Sequence, residues 1–414
     1  MSDWVPQLQI LHISDRHNGA PAFRPPIAFY QFALALHRLS PDYAARLLTA
    51  VVPHDPFAID ALAAFVREWC ADDPSWEGRP LWLVDTGDLT SFGDDASVEL
   101  AGAQLETLRR ALAPNEPERV EVLALYGNHD AWPGDQPLNL RSEAIDSHRS
   151  RLREAIDSRN ARSGGATEGA TSRISPVAAA NGASDREHRS PWRLRCEPDD
   201  PKLPGVDLYG LNTVLHDRWR SFLAVGELGG DRLPGSGEPD DGLDQLSRLA
   251  AQIAADDERP RLRIVATHHP LHFPPPRPTV MMHLANDEEV GRRLTTLGRR
   301  GVQLALAGHV HQFYPRLGEL PAASRDAHFP PLPVGSVPLL VGSLSQTSLA
   351  PAGFNHQAQL LRFFAKPGEA RLRCRRQLIA RAGGQLSGSG AFGRFALVPT
   401  AVGAAYDEIE FDLA

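Results

Sequence analysis

The sequence predicts an α/β fold, and three observations carry that prediction. Apolar runs of four to seven residues (Leu8–Ser14, Leu81–Val84, Val120–Leu125) alternate with longer segments of helical periodicity. These strand-like runs stop at polar turns such as Thr86-Gly87-Asp88 and Gly127-Asn128-His129-Asp130, where an open sheet presents side chains to a crevice. At 414 residues the chain has room for two units or one enlarged α/β domain.

Taken in order, Leu8–Ser14 reads as a buried strand that stops at Asp15. Phe29–Leu39 carries apolar residues at Phe29, Phe32, Ala33, Leu36 and Leu39, a helical face. Pro56–Ala71 is a second helix, with Phe57, Leu62, Phe65, Val66 and Trp69 on one stripe. The strands Leu81–Val84 and Val120–Leu125 flank a helix over Ser97–Leu112. Between Asp135 and Pro191 the alternation fails. Leu140–Arg159 reads as helical, and Ser163–Ser190, rich in Gly, Ala, Ser and Arg, reads as a mobile loop. Order resumes with a strand at Val206–Leu211, a helix at Leu243–Ala255 and a strand at Leu262–Ala266. A helix at Glu288–Gly298 and a strand at Val302–Leu306 follow. Pro338–Val341, Gln357–Phe364 and Ala370–Leu378 read as sheet, and Gly383–Gly393 as a loop before the tail.

Composition narrows the function classes. Hydrophobic residues at 42% and charged residues at 23% exclude wholesale disorder and fibrous repeats, and 34 Gly with 35 Pro predict long loops. No run of eighteen apolar residues is present, so no membrane span is expected. The opening MSDWVPQLQI shows neither a basic region nor a long apolar stretch, so no secretory signal is expected. Cys70, Cys196 and Cys374 form neither a disulfide framework nor a CxxC pattern, which fits a reducing, cytoplasmic location. A formal charge of −8 argues against nucleic acid as the partner. The basic residues are nearly all Arg, with only Lys202 and Lys366 as lysines; with the abundance of Ala, this reads as the coding bias of a GC-rich bacterium.

Chemistry concentrates in five groups, each just after a β-type apolar run: Asp15-Arg16-His17, Gly87-Asp88, Gly127-Asn128-His129-Asp130, His268-His269 and Gly308-His309-Val310-His311. Singly each is weak. Together, at strand ends, they predict a metal site. Carboxylate oxygens with imidazoles suit Mn, Fe, Co, Zn or Ni, and no thiolate is among them. One carboxylate can bridge two cations, and such a pair can clamp one hydroxide for in-line attack on phosphorus. Gly308 permits a tight turn that lets His309 and His311 diverge.

In this order the motifs DxH, GD, GNHD, H and GHxH resemble the signature of the calcineurin-like metallophosphoesterases. The resemblance runs from Leu11 to about Phe313 with large gaps. Val341-Gly342-Ser343-Leu344-Ser345-Gln346 and Gly87-Asp88-Leu89-Thr90-Ser91 are similar to segments of the phosphodiesterase-like branch. The resemblance implies a four-layer α/β/β/α sandwich of two mixed sheets. The expected organisation is a catalytic unit over 1–350 and C-terminal strands over 351–414 that complete or flank the sheet; inserted segments at about 19–56 and 135–200, expected to act as a cap, depart from the family's compact pattern. The resemblance places Asp15, His17 and His311 on one metal, Asn128, His268 and His309 on the other, and Asp88 between them. His129 would stabilise the transition state or protonate the leaving oxygen, with Asp130 orienting its ring. The implied cofactor is a pair of divalent or mixed-valence transition-metal ions (Mn, Fe, Co or Zn).

His269 should point away from His268 and serve as a structural or outer group. Arg16 could reach a phosphate or form an outward salt bridge, Asn18 reads as a turn residue, and His12 as a satisfied core histidine. His272 reads as a loop residue that could touch substrate. Pro274–Pro278 reads as a rigid surface loop, with a lid or dimer contact as the other reading, so homo-oligomerisation stays open. Arg371, Arg373, Arg375 and Arg376 read as a solvated sheet face rather than a nucleic-acid stripe. Asp15 and Asp88 are 73 residues apart, and both long insertions start directly after ligand-bearing turns, so both are placed to roof the crevice. Two divalent cations (+4), Asp15 and Asp88 (−2) and a hydroxide (−1) leave +1, opposite in sign to a phosphodiester monoanion, whereas an Fe(III)–M(II) pair would leave +2, matched to a monoester dianion. The expected function is metal-dependent hydrolysis of a small phosphodiester. A phosphomonoesterase or a nuclease on the same site, and a scaffold without catalysis, are the alternatives.

Overall fold

A computed structural model of the chain describes residues 4–18, 57–71, 76–90, 95–130, 172–176, 191–214, 226–228, 244–256, 259–271, 284, 286–296, 301–309, 337–341, 344, 354–382, 394–398 and 406–413. Its elements in chain order begin with β1 (Val5–Ile13), α1 (Ala58–Ala71), β2 (Leu81–Asp85), α2 (Asp95–Leu112) and β3 (Val120–Ala124). β4 (Ser172–Pro176), β5 (Trp192–Cys196), β6 (Gly205–Gly210), α3 (Asp244–Ala255), β7 (Arg261–Thr267), α4 (Asp287–Thr296) and β8 (Leu304–Ala307) follow. The chain closes with β9 (Val337–Leu340), β10 (Phe354–Ala365), β11 (Arg371–Ala382), β12 (Phe395–Val398) and β13 (Asp407–Asp412).

Two mixed sheets result. One runs β12-β11-β10-β1-β2-β3, with β13 also on β11; the other runs β4-β5-β6-β7-β8-β9. In the first, β1, β2 and β3 are parallel, and β10 pairs antiparallel with β1, so C-terminal strands sit inside the same sheet as the N-terminal strand. In the second, β6 through β9 are parallel.

Period-2 alternation sorts side chains into layers. Leu8, Ile10, Trp82, Val84 and Leu123 pack against Val206, Leu208, Leu262, Ile264 and Leu306 between the sheets. On the outer side of the first sheet, Leu11, Ile13, Leu81, Leu83 and Val122 meet α1 and α2. On the outer side of the second, Tyr209 and Val265 meet α3 and α4. The helices supply matching stripes: Ile59, Leu62, Ala63 and Val66 recur at helical spacing on α1, and Leu246, Leu249 and Ile253 on α3. Three cores between four layers make an α/β/β/α sandwich. No helix among the described residues is long and apolar enough to cross a membrane.

Two strands differ from the sequence expectation. Residues 172–176, expected within a mobile loop, form β4, and β5 was not foreseen. They pair antiparallel and extend the second sheet beyond β6. Trp192, Leu194 and Cys196 face in and are buried, while Arg193 and Arg195 alternate with them, a strand period interrupted too soon to stand out. The arginine row of β11 is paired rather than bare: Arg371 and Arg373 bond Glu410, and Arg375 bonds Glu408 on β13. Arg376 faces the other way and is buried. The expected helices at 29–39 and 140–159, the proline run at 274–278 and the loop at 383–393 lie outside the described residues; of the segments expected to roof the crevice, 172–176 and 192–196 are strands of the second sheet, and most of the remainder lies outside the described residues.

Candidate metal centre

The parallel strands of both sheets end at one edge. Asp15 and His17 follow β1, Asp88 follows β2, Asn128 follows β3, His268 follows β7 and His309 follows β8. All six are buried, and His129 beside them is half-buried. Asp15 (φ 53°), His17 (φ 49°), Asp88 (φ 52°) and His309 (φ 67°) all occupy the left-handed region. Non-glycine residues avoid that region at some cost, so four of them together mark a backbone shaped for something other than stability.

Backbone hydrogen bonds lock the turns together. The Asp15 and His17 N–H groups donate to the carbonyls of Gly87 and Asp88, each at 2.9 Å. His129 N–H donates to Asp88 Oδ1 at 2.9 Å. Leu344, in the segment similar to the phosphodiesterase-like branch, donates its N–H to the Ser14 carbonyl at 3.1 Å. The glycines before the ligands make room for carboxylates: a Cβ on Gly127 would stand 2.0 Å from Asp88 Oδ1.

Side-chain donors converge at the distances that separate ligands around one ion. His268 Nε2 lies 3.0 Å from Asn128 Oδ1, 3.1 Å from His309 Nδ1 and 3.4 Å from Asp88 Oδ2. With metal–nitrogen bonds of about 2.1 Å, tetrahedral neighbours stand roughly 3.4 Å apart, so these spacings suit a shared cation. His17 Nε2 lies 3.7 Å from Asp88 Oδ2 and 4.0 Å from Asp15 Oδ1. Three groups of donors each fit within 4.8 Å: His17, Asp88 and His129; Asp15, Asp88 and His268; His268, His269 and His309. His311 lies outside the described residues.

The electrostatics fit a cation. Burial works against the Asp88 carboxylate, yet His268 and His129 beside it hold its pKa down to about 2. Burial likewise works against a charged His268, but Asp88, Asp15 and the Thr86 carbonyl raise it to about 9. A field that retains a proton there also favours a metal ion. The His268 Nδ1–H donates to the Thr86 carbonyl at 2.9 Å, which turns Nε2 toward Asn128 and Asp88.

The carboxylate of Asp130 ties two of the turns together. It accepts from the N–H groups of Leu89, Thr90 and Gly127 and from the Thr90 hydroxyl, at 2.8 to 3.1 Å. It staples the Asn128 turn to the Asp88 turn. Burial, then the neighbouring Asp88 charge, push its pKa up to about 7 against those hydrogen bonds.

Arg16 turns away from the crevice. Its Nε donates to Asp85 at 2.7 Å, and its Nη1 to the Ala101 carbonyl and Gln104 of α2 at 2.9 and 2.8 Å. Asn18 joins Gln104 and the Leu89 carbonyl at 2.8 Å. His269 does not point away from His268: its Nδ1 lies 2.8 Å from Thr213 Oγ1, but its ring packs 4.9 Å from that of His268 and 4.3 Å from that of His309, beside the cluster. Thr213 escaped the sequence reading, although it follows the apolar run of β6 as the other site residues follow theirs.

A family profile described as calcineurin-like phosphoesterase matches residues 8–313. The chain belongs to the calcineurin-like phosphoesterase family. Among curated proteins, none matches the sequence significantly. Solved structures include the sulfate thiohydrolase SoxB of Thermus thermophilus in complex with glycerol, at 17% identity and a TM-score of 0.37, covering 90% of this chain and 56% of that one. The phosphopantetheinyl hydrolase PptH of Mycobacterium tuberculosis is 13% identical with a TM-score of 0.33, covering 82% of this chain and 90% of that one. PhoD is 10% identical with a TM-score of 0.44, covering 99% of this chain and 70% of that one. This chain spans about half the length of the SoxB chain.

In this calcineurin-like phosphoesterase the donor set suits a divalent transition metal. Asp15, His17, Asp88, Asn128, His268 and His309 offer oxygen and nitrogen, and all three cysteines lie elsewhere. The convergence of donors from both sheets on a strained backbone is the observation that makes the fit.

Proposed function

We propose that the chain is a dinuclear metal-dependent phosphoesterase acting on a small phosphodiester. The observation that carries this reading is the place of Asp88. Its carboxylate belongs to two donor groups, one with His17 and one with Asp15 and His268, and so faces both halves of the cluster. Asp15 and His17 would hold one cation, with His311 from the same motif as His309; Asn128, His268 and His309 would hold the second. Two such ions would supply Lewis acidity and activate a water for in-line attack at phosphorus.

The chain's own residues do the rest. The hydrogen bond from His129 N–H holds the Asp88 carboxylate in one orientation. The half-buried His129 ring stands edge-on to His17, 4.6 Å between centroids, at the accessible side of the cluster. From there it can give a proton to the leaving oxygen. Asn128 offers a neutral oxygen where another carboxylate would cancel the positive charge that a phosphate needs. The residual positive charge attracts a phosphate anion, and a diester monoanion would neutralise a charge of about +1.

The test is a panel of aryl phosphodiesters and phosphomonoesters offered to protein reconstituted with Mn, Fe, Co or Zn. Metal analysis should return two equivalents, and turnover on diesters should exceed that on monoesters. Full activity after chelation would remove the proposal, and faster monoester turnover would reverse the substrate class.

A further inference from the structure

Between the sheets, the apolar rows give way near the site to a polar row that follows the strand order β11-β10-β1-β2. Cys374, Leu361, Ile10 and Val84 belong to the apolar inter-sheet core. Two residues further along each strand stand Arg376, Gln359, His12 and Thr86, all buried. His12 and Gln359 are directly opposed across the β1–β10 pair.

These four groups form one hydrogen-bonded chain with a fixed direction. A guanidinium can only donate, so Arg376 Nε gives its proton to Gln359 Oε1, at 2.6 Å. The Gln359 amide nitrogen then faces His12 Nδ1 at 2.6 Å, and the ring nitrogen must accept. His12 therefore carries its proton on Nε2, 3.0 Å from Thr86 Oγ1. The Thr86 hydroxyl is left to donate to the Ile13 carbonyl, at 3.4 Å. Burial drives the His12 pKa down to about 3, which agrees with a neutral ring. The Thr86 peptide is also tied through its N–H to Ile13. Its carbonyl is the acceptor for His268 Nδ1–H.

Placing a cation in a β-sandwich core is costly, and a well-packed apolar side chain could fill the same space. Resting on the metallophosphoesterase reading above, we propose that Arg376, acting through Gln359 and His12, is a positioning residue. It sets the direction of the chain, fixes the Thr86 side chain and peptide, and so holds His268 with Nε2 turned to the metal pocket. Arg376 and Gln359 come from β11 and β10, which carry none of the six candidate ligands among the described residues.

The experiment compares wild type with Gln359→Glu and Thr86→Val, both close in shape to the native residue. An ionised glutamate keeps a partner for Arg376 and can only accept from His12, which puts a proton on His12 Nδ1. Valine deletes the hydroxyl and keeps the carbonyl. Nitrogen-15 NMR of histidine-labelled, metal-free protein should show His12 protonated on Nε2 in wild type and on Nδ1 in Gln359→Glu. Calorimetric Mn titration should show one of two equivalents weakened about tenfold in both variants, with the other unchanged. With an aryl diester, kcat should fall and KM stay. A wild-type His12 protonated on Nδ1, or Mn affinities within twofold of wild type in both variants, would overturn the proposal. Wild-type protein that takes up none of Mn, Fe, Co or Zn overturns this proposal and the phosphoesterase reading together. Wild-type protein that binds Mn but cleaves no ester overturns the phosphoesterase reading alone, and the affinity comparison still decides the role of Arg376.

Discussion

The backbone N–H of His309 donates to the carboxylate of Asp15 at 2.9 Å, although 294 residues separate them in the chain. This bond joins the end of β8 in one sheet to the end of β1 in the other. The cluster therefore sits on the seam between the sheets, and whatever parts the seam parts the ligands.

Gly308 is the tightest point of that seam. A Cβ there would stand 1.8 Å from Ser14 Oγ and 2.6 Å from Asp15 Oδ2. Gly308→Ala should keep its far-ultraviolet circular dichroism and lose at least tenfold in Mn affinity by calorimetry, roughly the effect of displacing a ligand's hydrogen-bond partner. An unchanged titration curve would place the cations elsewhere.

His129 is expected to act on substrate rather than on metal. His129→Ala should bind the same number of Mn equivalents as wild type and turn over an aryl diester about 100-fold or more slowly. Loss of a metal equivalent would make it a ligand; wild-type turnover would deny it any part in the chemistry.

The Arg16–Asp85 pair is buried at both ends. Arg16→Met leaves an uncompensated carboxylate beside α2 and should lower unfolding free energy by about 3 to 5 kcal/mol in urea. Arg16→Met combined with Asp85→Leu should recover most of that loss. An equally unstable double variant would show that packing, not charge, is what the single variant removed.

Glu121 on β3 is buried. Burial raises its pKa from 4.5 to about 7, against a weaker pull from Arg109. The folded value lies above the unfolded one, so its stability contribution is complete below about pH 4.5, erodes up to about 7 and is gone above. The shift corresponds to at most about 3 kcal/mol, and partial screening brings the expectation nearer 1 to 2. Glu121→Gln should therefore raise the melting temperature at pH 8 and leave it unchanged at pH 4. A gain of equal size at both values would rule out titration as the cause.

The α/β class, the order of strands and helices around the site, and the five strand-end groups were legible in the sequence, because hydrophobic periodicity and its interruptions are local properties. Val120–Leu125 ends where its apolar period ends, and Asn128 stands just beyond it in any register. The strand Trp192–Cys196 carried the same kind of signal, but five residues beside a Gly- and Arg-rich stretch gave it too little length to be separated.

The tertiary structure decided where polar side chains find their partners. Arg16 lies between two candidate ligands, yet the parallel register of β1 and β2 and the placement of α2 turn it to Asp85 and Gln104. Asp130 follows His129 in sequence, while the folding of one turn onto another gives its oxygens to Leu89, Thr90 and Gly127. His12, Gln359 and Arg376 share no motif and meet only because β1, β10 and β11 are neighbours. A hydrogen bond needs its partner within about 3 Å, and that distance is set by strand register across hundreds of residues, which no local pattern encodes.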